Sequence, residues 1–382
     1  MKKVVILTPS LGMGGMERVL VNYANLFAGR GFDVTVLNFT YDEPSIVSNL
    51  DKRVHYIKHY MPVHNPRNAS VKDILRGNFR ILSWAEWIKR KSPDFLYRKY
   101  IKEQYDIEIA FFGSEAIKIL SGSPNKNAFG WIHNVNVDSY VRSLGSLEDA
   151  KAVYQRISKL VCVSQQAKEQ IGKVFDRTDN VFVVNNPNDT KTIRAKAEEF
   201  TVDTHGVFTF VTVARFYDKQ KGFIRLLNEC KKLKDNDFEF NLWLIGDGAD
   251  LEMVKNKAQE LELDNVTFFG RQGNPYPYIK CADMYLSASY HEGFSMVMME
   301  AVILGTPMLT TDVSGAREMI GDSEYGLLVE NSGQGIYDGI SKVLSDPSYY
   351  EHLKARAKLR MDYLSEEKLM DQLEGYFDDT FK

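Results

Sequence analysis

Twice along this chain a short, continuously apolar run breaks off at a polar loop and leads straight into a helical pattern. The first instance is VVIL at residues 4–7, a β-branched run of the kind a strand buried on both faces requires. It stops at the polar, glycine-rich stretch 8–15. Val19, Leu20, Tyr23, Leu26 and Phe27 then recur at helical spacing, and Gly31 supplies the stop. DVTVLNF follows as a second strand. Strand, loop, helix and strand make a βαβ unit, which implies a parallel sheet. The second instance opens with VFTFVTVA at residues 207–214, followed by a polar loop and a helical stretch over 223–233. FEFNLWLIGDG and a further helix over 251–261 continue it.

The same rhythm recurs elsewhere. IEIAFF, AFGWIH, KLVCVS and VFVVNN in the first half are short apolar runs ending in a small or polar residue, as are NVTFFG, ADMYLSAS, TPMLTT and YGLLVE in the second. A chain of 382 residues is longer than one core usually organises. The fold class is therefore α/β, with two successive doubly wound, Rossmann-like domains. The polar stretch 187–205 should contain the boundary, giving residues 1–190, 191–362 and a helical tail at 363–382 able to pack back on the first domain.

Charge and cysteine content exclude several classes. The formal net charge of -3 gives no overall field for nucleic acid. Cys162, Cys230 and Cys281 are far apart and form no C-x-x-C pair, against a disulfide framework or zinc site and in keeping with a reducing, cytoplasmic compartment. The apolar run after Lys2 and Lys3 is too short for a signal peptide. No run approaches the roughly 18 residues needed to span a bilayer, so a membrane contact would be peripheral.

Open parallel sheets bind ligands beyond the carboxyl ends of their strands, and four loops there carry unusual residues. In SLGMGGMER, residues 10–18, glycines allow close backbone approach and the next helix start suits an anion. Glu17 stands where a dinucleotide fingerprint would place its third glycine, and a simple tight turn explains the loop equally well. In VARFYDKQKGF, residues 213–223, Arg215, Lys219 and Lys221 have no partner suggested by the sequence, and a diphosphate would satisfy them. Solvated lysines are the alternative there. In SYHEGFSMVMMEAVILGTPMLTT, a turn at His291, Glu292 and Gly293 precedes a helix expected over 294–304. The amides of Gly293, Phe294 and Ser295 would accept a phosphate. Glu300 lies inside an otherwise apolar helix, where ribose hydroxyls, a structural arginine or solvent could satisfy it. In WIHN, a strand end delivers His133. DND at 235–237 follows a helix and precedes a strand, so it belongs at the opposite pole as a polar turn, and no metal is expected.

Taken together these strings resemble glycosyltransferase family 4, a retaining family with the GT-B fold, in which two Rossmann-like domains face each other across a cleft. The resemblance runs over nearly the whole chain and is densest from 211 to 320. Its most specific element is the E-x7-E pair Glu292 and Glu300; GMGGMER, WIHN, VCVSQQAK, NNPND, the Arg/Lys loop, IGDGADLE and SGAREMI support it. The resemblance implies that Glu300 binds the donor ribose and Glu292 lies near the transferred sugar. Gly293, Phe294 and Ser295 would meet the distal phosphate or sugar, while Arg215 and Lys221 would neutralise the departing diphosphate. Backbone near Phe269 and Arg271 would hold the base, His133 a donor-sugar hydroxyl, and Gly14 and Gly15 would shape the phosphate and acceptor side. The spacing from Arg215 to Lys221 is one residue longer than the commonest family spacing, so Lys219 could share or take that role.

The implied reaction moves a sugar, with retention, from a nucleotide-sugar donor, by family weight a UDP-sugar, to a saccharide acceptor, without a cofactor or metal. Residues 65–104 carry ten Lys or Arg against four acids, interleaved with aromatics, a composition suited to an anionic membrane surface or to a solvated helical insertion. In the acceptor half, it points to a lipid-linked saccharide, as in surface-polysaccharide assembly. A GT-B-type nucleotide-sugar epimerase and a catalytically silent partner subunit are the alternative readings.

Overall fold

The structure is a computed structural model that describes residues 1–12, 14–59, 92–133, 137–363 and 365–377. The chain divides into two compact units. One comprises residues 1–163, 167–184 and the described residues from Met370 onward, and the other 164–166 and 185–369. The division at Val184 and Asn185 lies just ahead of the polar stretch, which itself forms a helix, Thr190–Lys196, capped by the Asp189 carboxylate. Neither proline nor glycine falls within Thr190–Lys196, so the charges there lie on a helical face.

The first unit is built on seven parallel strands: β1 (Lys3–Thr8), β2 (Asp33–Asn38), β3 (His55–Lys58), β4 (Ile107–Ala110), β5 (Ala128–Ile132), β6 (Lys159–Cys162) and β7 (Val181–Val183). Their order is β3-β2-β1-β4-β5-β6-β7. The central strands are buried along their whole length, which is why they read as apolar runs, with Glu108 of β4 the exception, its carboxylate accepting from Tyr97 and Ser123. β3 lies at the edge with alternate residues exposed, and that removes the apolar run by which it could be recognised in sequence. The tail contributes here: Tyr376 stacks on Phe182 with ring centroids 4.1 Å apart, and Gln372 donates to the Val183 carbonyl at 2.8 Å.

The second unit holds six parallel strands: β8 (Thr209–Val213), β9 (Asn241–Ile245), β10 (Val266–Gly270), β11 (Met284–Ser287), β12 (Met308–Thr311) and β13 (Leu327–Val329). Their order is β10-β9-β8-β11-β12-β13. The helix Phe223–Asp235 buries Phe223, Leu226, Leu227, Cys230 and Leu233 against this sheet. Each such side chain contributes about 1.5–3 kcal/mol by leaving water. Both units are doubly wound. In each, the strand order changes direction between two neighbours, β1 with β4 and β8 with β11. Loops leaving those strands bound the crevice in which such sheets take ligands.

Candidate functional site

The second unit concentrates its chemistry at its switch point. After β8 the chain runs through Arg215 to a one-turn helix, Asp218–Lys221, and Gly222 in left-handed backbone (φ 68°) starts the helix Phe223–Asp235. The glycines of IGDG fix this course. A Cβ on Gly246 would stand 1.9 Å from the Ala214 carbonyl oxygen, and one on Gly248 2.4 Å from that of Phe216. Only glycine permits the approach. Two backbone bonds hold the loops together: Phe216 N–H donates to Asp247 at 3.0 Å, and Asp250 N–H to Phe216 at 3.1 Å. The Asp250 carboxylate also accepts from the Asp218 amide at 2.8 Å.

That frame turns the Arg215 and Lys219 side chains outward, and among the described residues neither has an ion-pair partner. Lys221 differs. Its Nζ lies 2.6 Å from Glu292 Oε1, with 19% of the lysine and 6% of the glutamate side chain exposed. Ser289 Oγ donates to the same carboxylate oxygen at 2.7 Å. A pair this buried is costly to break from one side, about 3–5 kcal/mol, because the survivor keeps an uncompensated charge. The sequence left the choice between the two lysines open; the structure engages Lys221 and leaves Lys219 in solvent.

The turn after β11 leads into the helix Met296–Leu304. The helix starts later than the expected 294 because Ser295 takes the N-cap position, accepting from Met298 N–H. Gly293, Phe294 and Ser295 therefore precede the helix, and among the described residues their amides donate to no protein acceptor. Phe294 is buried, and a Cβ on Gly315 (φ 80°) would come within 2.6 Å of its ring, which explains the glycine of SGAREMI. Glu300 is 6% exposed. Burial pushes the pKa of the Tyr285 phenol on β11 well up, and the charges of Glu292 and Glu300 push it further, so both carboxylates lie near that ring. Solvent exposure of Glu300 is thus excluded.

On the next strand edge, Phe269 packs edge-on to Trp243 and Tyr278, and its carbonyl accepts from Gln272 Nε2 at 2.7 Å; Arg271 beside it is exposed. DND begins at the carboxyl end of the helix Phe223–Asp235, where Asp235 pairs with Lys231. Among the described residues no group of three or more His, Cys, Asp or Glu is placed to hold a metal.

At the first unit's switch point, Gly14 begins the helix Gly15–Gly29. A Cβ on Gly14 would lie 2.2 Å from Glu17 Oε2, so the helix's own carboxylate folds over the glycine loop. One strand further, the His133 ring nitrogen Nε2 stands 2.8 Å from the Phe111 carbonyl oxygen. A carbonyl only accepts, so Nε2 carries the proton and Nδ1 is left as an acceptor. Burial holds this imidazole well below its ordinary range, at about 4, and it is neutral at physiological pH. Of the basic-aromatic run 65–104, residues 65–91 lie outside the described residues; the remainder contains the helix Pro93–Tyr100 with Arg98 exposed. Among the described residues no helix is long and apolar enough to cross a membrane.

Sequence reasoning missed the residues that hold the turn after β11: Gln220, Arg225, Thr311 and Asn331. An arginine one turn into an amphipathic helix, after a Lys-Gly pair, was the available signal for Arg225.

Two doubly wound, parallel-sheet units of this kind define the GT-B fold class. Residues 194–360 match the family model "Glycosyl transferases group 1", and residues 13–192 match "Glycosyltransferase Family 4". The chain is 26% identical to an uncharacterized glycosyltransferase of Haemophilus influenzae, covering 98% of this chain and 99% of that one. It is 25% identical to the N-acetylgalactosamine-N,N'-diacetylbacillosaminyl-diphospho-undecaprenol 4-alpha-N-acetylgalactosaminyltransferase of Campylobacter jejuni, covering 94% and 95%. The crystal structure of Anabaena HepE in complex with UDP superposes with a TM-score of 0.74 over 98% of this chain and 99% of that one, at 16% identity. The chain belongs to the group 1 glycosyltransferases of the GT-B fold.

Proposed function

We propose that this glycosyltransferase moves a hexosyl or N-acetylhexosaminyl group from a UDP-sugar to a saccharide acceptor, with retention and without a metal. One observation carries the reading: among the described residues, three successive amides, Gly293 to Ser295, and the cations Arg215 and Lys219 lack protein partners at one switch point, beside the buried Glu300. Unsatisfied donors and cations of this kind suit a diphosphate, and a buried carboxylate suits vicinal ribose hydroxyls.

In an oxocarbenium-like transition state, charge grows on the departing phosphate. Fixed amides with Arg215 and Lys219 stabilise it as the bond breaks. Lys221 donates at the edge of this cradle while Glu292 holds it in place beside the transferred sugar. No carboxylate is assigned as a covalent nucleophile; the acceptor attacks from the face the leaving group departs, and the departing phosphate oxygen takes the acceptor proton. His133 offers Nδ1 to a donor-sugar hydroxyl, backbone near Phe269 and Arg271 meets the base, and Gly14 and Gly15 shape the acceptor side. The acceptor is lipid-linked, and the protein works in the cytoplasm, peripherally at the inner membrane face. The Campylobacter relative's name specifies an undecaprenol-linked acceptor, and residues 65–104 are strongly basic and aromatic.

Thermal-shift screening of nucleotide sugars, followed by assay of nucleoside diphosphate release with undecaprenol-linked and free saccharides, tests this. Proton NMR of the product gives the anomer. An inverted product would overturn retention, and donor turnover without acceptor, giving an epimer, would overturn transfer.

A further inference from the structure

The turn that carries Glu292 has no regular structure of its own, yet four successive carbonyls in it are each met by a side chain from elsewhere. The Ala288 carbonyl accepts from Arg225 Nε at 2.9 Å and Nη2 at 2.6 Å. The Ser289 carbonyl accepts from Thr311 Oγ1 at 2.7 Å, and that of Tyr290 from Asn331 Nδ2 at 2.9 Å. Gln220 Nε2 reaches the His291 carbonyl at 3.4 Å. Because each peptide is planar, fixing these four carbonyls also fixes the N–H groups of residues 289–292, the stretch that leads directly into the 293–295 amides.

Arg225 is the centre of this arrangement. Its guanidinium also donates to Asn331 Oδ1 at 2.8 Å and lies over the Tyr290 ring, 3.8 Å from its centroid. It thereby joins the helix Phe223–Asp235, the end of β11 and the loop after β13. Among the described residues no carboxylate is in ion-pair contact with it, Asp218 acting only at longer range, so its hydrogen bonds go to neutral oxygens and its face to an aromatic ring. Such a site uses the planar fork of arginine, which lysine lacks. Gly222 makes the approach possible, since a Cβ there would lie 2.3 Å from the Ala288 oxygen and 2.8 Å from Arg225 Nε.

We propose that Arg225 is a positioning residue: acting through Ala288, Tyr290 and Asn331, it pre-sets the turn so that Glu292 meets Lys221 and the 293–295 amides face the diphosphate. This rests on the donor site proposed above. Arg225 itself touches no donor atom, and the nucleoside end, served by Glu300, is independent of it.

The test compares wild type with Arg225→Gln and Arg225→Lys in the full chain, using hydrogen exchange and calorimetry. Arg225→Gln should speed amide exchange in the peptide spanning 286–297 while leaving β1 and β4 unchanged. It should weaken UDP binding about 10-fold, leave UMP binding within about 2-fold, and lower kcat about 10- to 100-fold with a smaller change in donor KM, as expected when reacting groups are misplaced rather than removed. Arg225→Lys should recover little of this, because charge alone does not restore the bidentate contact. Unchanged exchange across 286–297, or equal loss of UDP and UMP affinity, would overturn the positioning role. A wild type that binds neither nucleotide would instead overturn the donor site, and the exchange result would still decide whether Arg225 holds the turn.

Discussion

The two switch points share a topology but differ in what they leave unsatisfied. At the first, the glycine loop is covered by Glu17 from its own helix, and His133 is neutral with one nitrogen committed to the Phe111 carbonyl. At the second, Arg215 and Lys219 are turned to solvent and, among the described residues, three amides have no acceptor, while the carboxylates Glu292 and Glu300 are buried. Among the described residues, the first mouth thus carries the His133 Nδ1 and, beside its helix start, the Glu17 carboxylate, and the second places two exposed cations beside its open amides. Similar folding therefore places different charges at the two mouths, and the diphosphate site proposed above lies at the second.

The largest expected break in this contrast is Arg215→Ala, which should lower kcat about 100- to 1000-fold, the usual consequence of losing a fixed donor to a developing anion. Assay of UDP release measures it, and retained activity would erase the distinction between the mouths. A stability comparison comes next. Gly246→Ala forces a Cβ onto backbone, at 1.9 Å from the Ala214 oxygen, while Gly113→Ala meets the Pro9 ring at 2.5 Å. Both backbones are left-handed, with φ 138° and 83°. The Gly246 change should cost about 3–4 kcal/mol in urea denaturation and the Gly113 change somewhat less, since a proline ring can shift more easily than a strand-end carbonyl.

His133 sharpens the contrast through pH. Its pKa falls from 6.5 to about 4 on folding, so the unfolded chain binds more protons in that window. Stability contributed by the neutral ring is full above about 6.5 and is lost as pH falls towards 4, by up to about 3 kcal/mol. Denaturation at pH 7 and pH 5 should show this difference in wild type and a smaller one in His133→Phe. The smallest expected effect is that of chelation: EDTA should leave transfer unchanged if, as proposed, Arg215 and Lys219 take the charge of the leaving group. Restoration of lost activity by magnesium or manganese would contradict that.

The strands that position these sites were legible because they are buried on both faces, so VVIL and IEIAFF carry their signal in composition alone. β3 was not, because its outer face meets solvent. Glu300 stood out as a carboxylate among Val297, Met298, Ala301 and Val302, but the sequence left a solvent-facing position open, and its burial is a finding of the structure. The pairing of Lys221 with Glu292 could not be read, since two lysines at similar spacing compete and only the turn of the Asp218–Lys221 helix decides between them. Nor could the grip on residues 288–291, because backbone carbonyls leave no trace in sequence. The glycines of IGDG were visible as a motif, but their reason, close approach of the Arg215 loop, lies in contacts between distant segments.

The most direct test is calorimetric titration of UDP and uridine into the wild type and Arg215→Ala, at low and high salt. UDP should bind far more tightly than uridine, at least about 100-fold, with the advantage shrinking in salt and in the variant, because charge-assisted bonds supply it. Equal affinities for UDP and uridine, or a UDP affinity indifferent to Arg215, would show that the mouth of the second sheet is not an anion site.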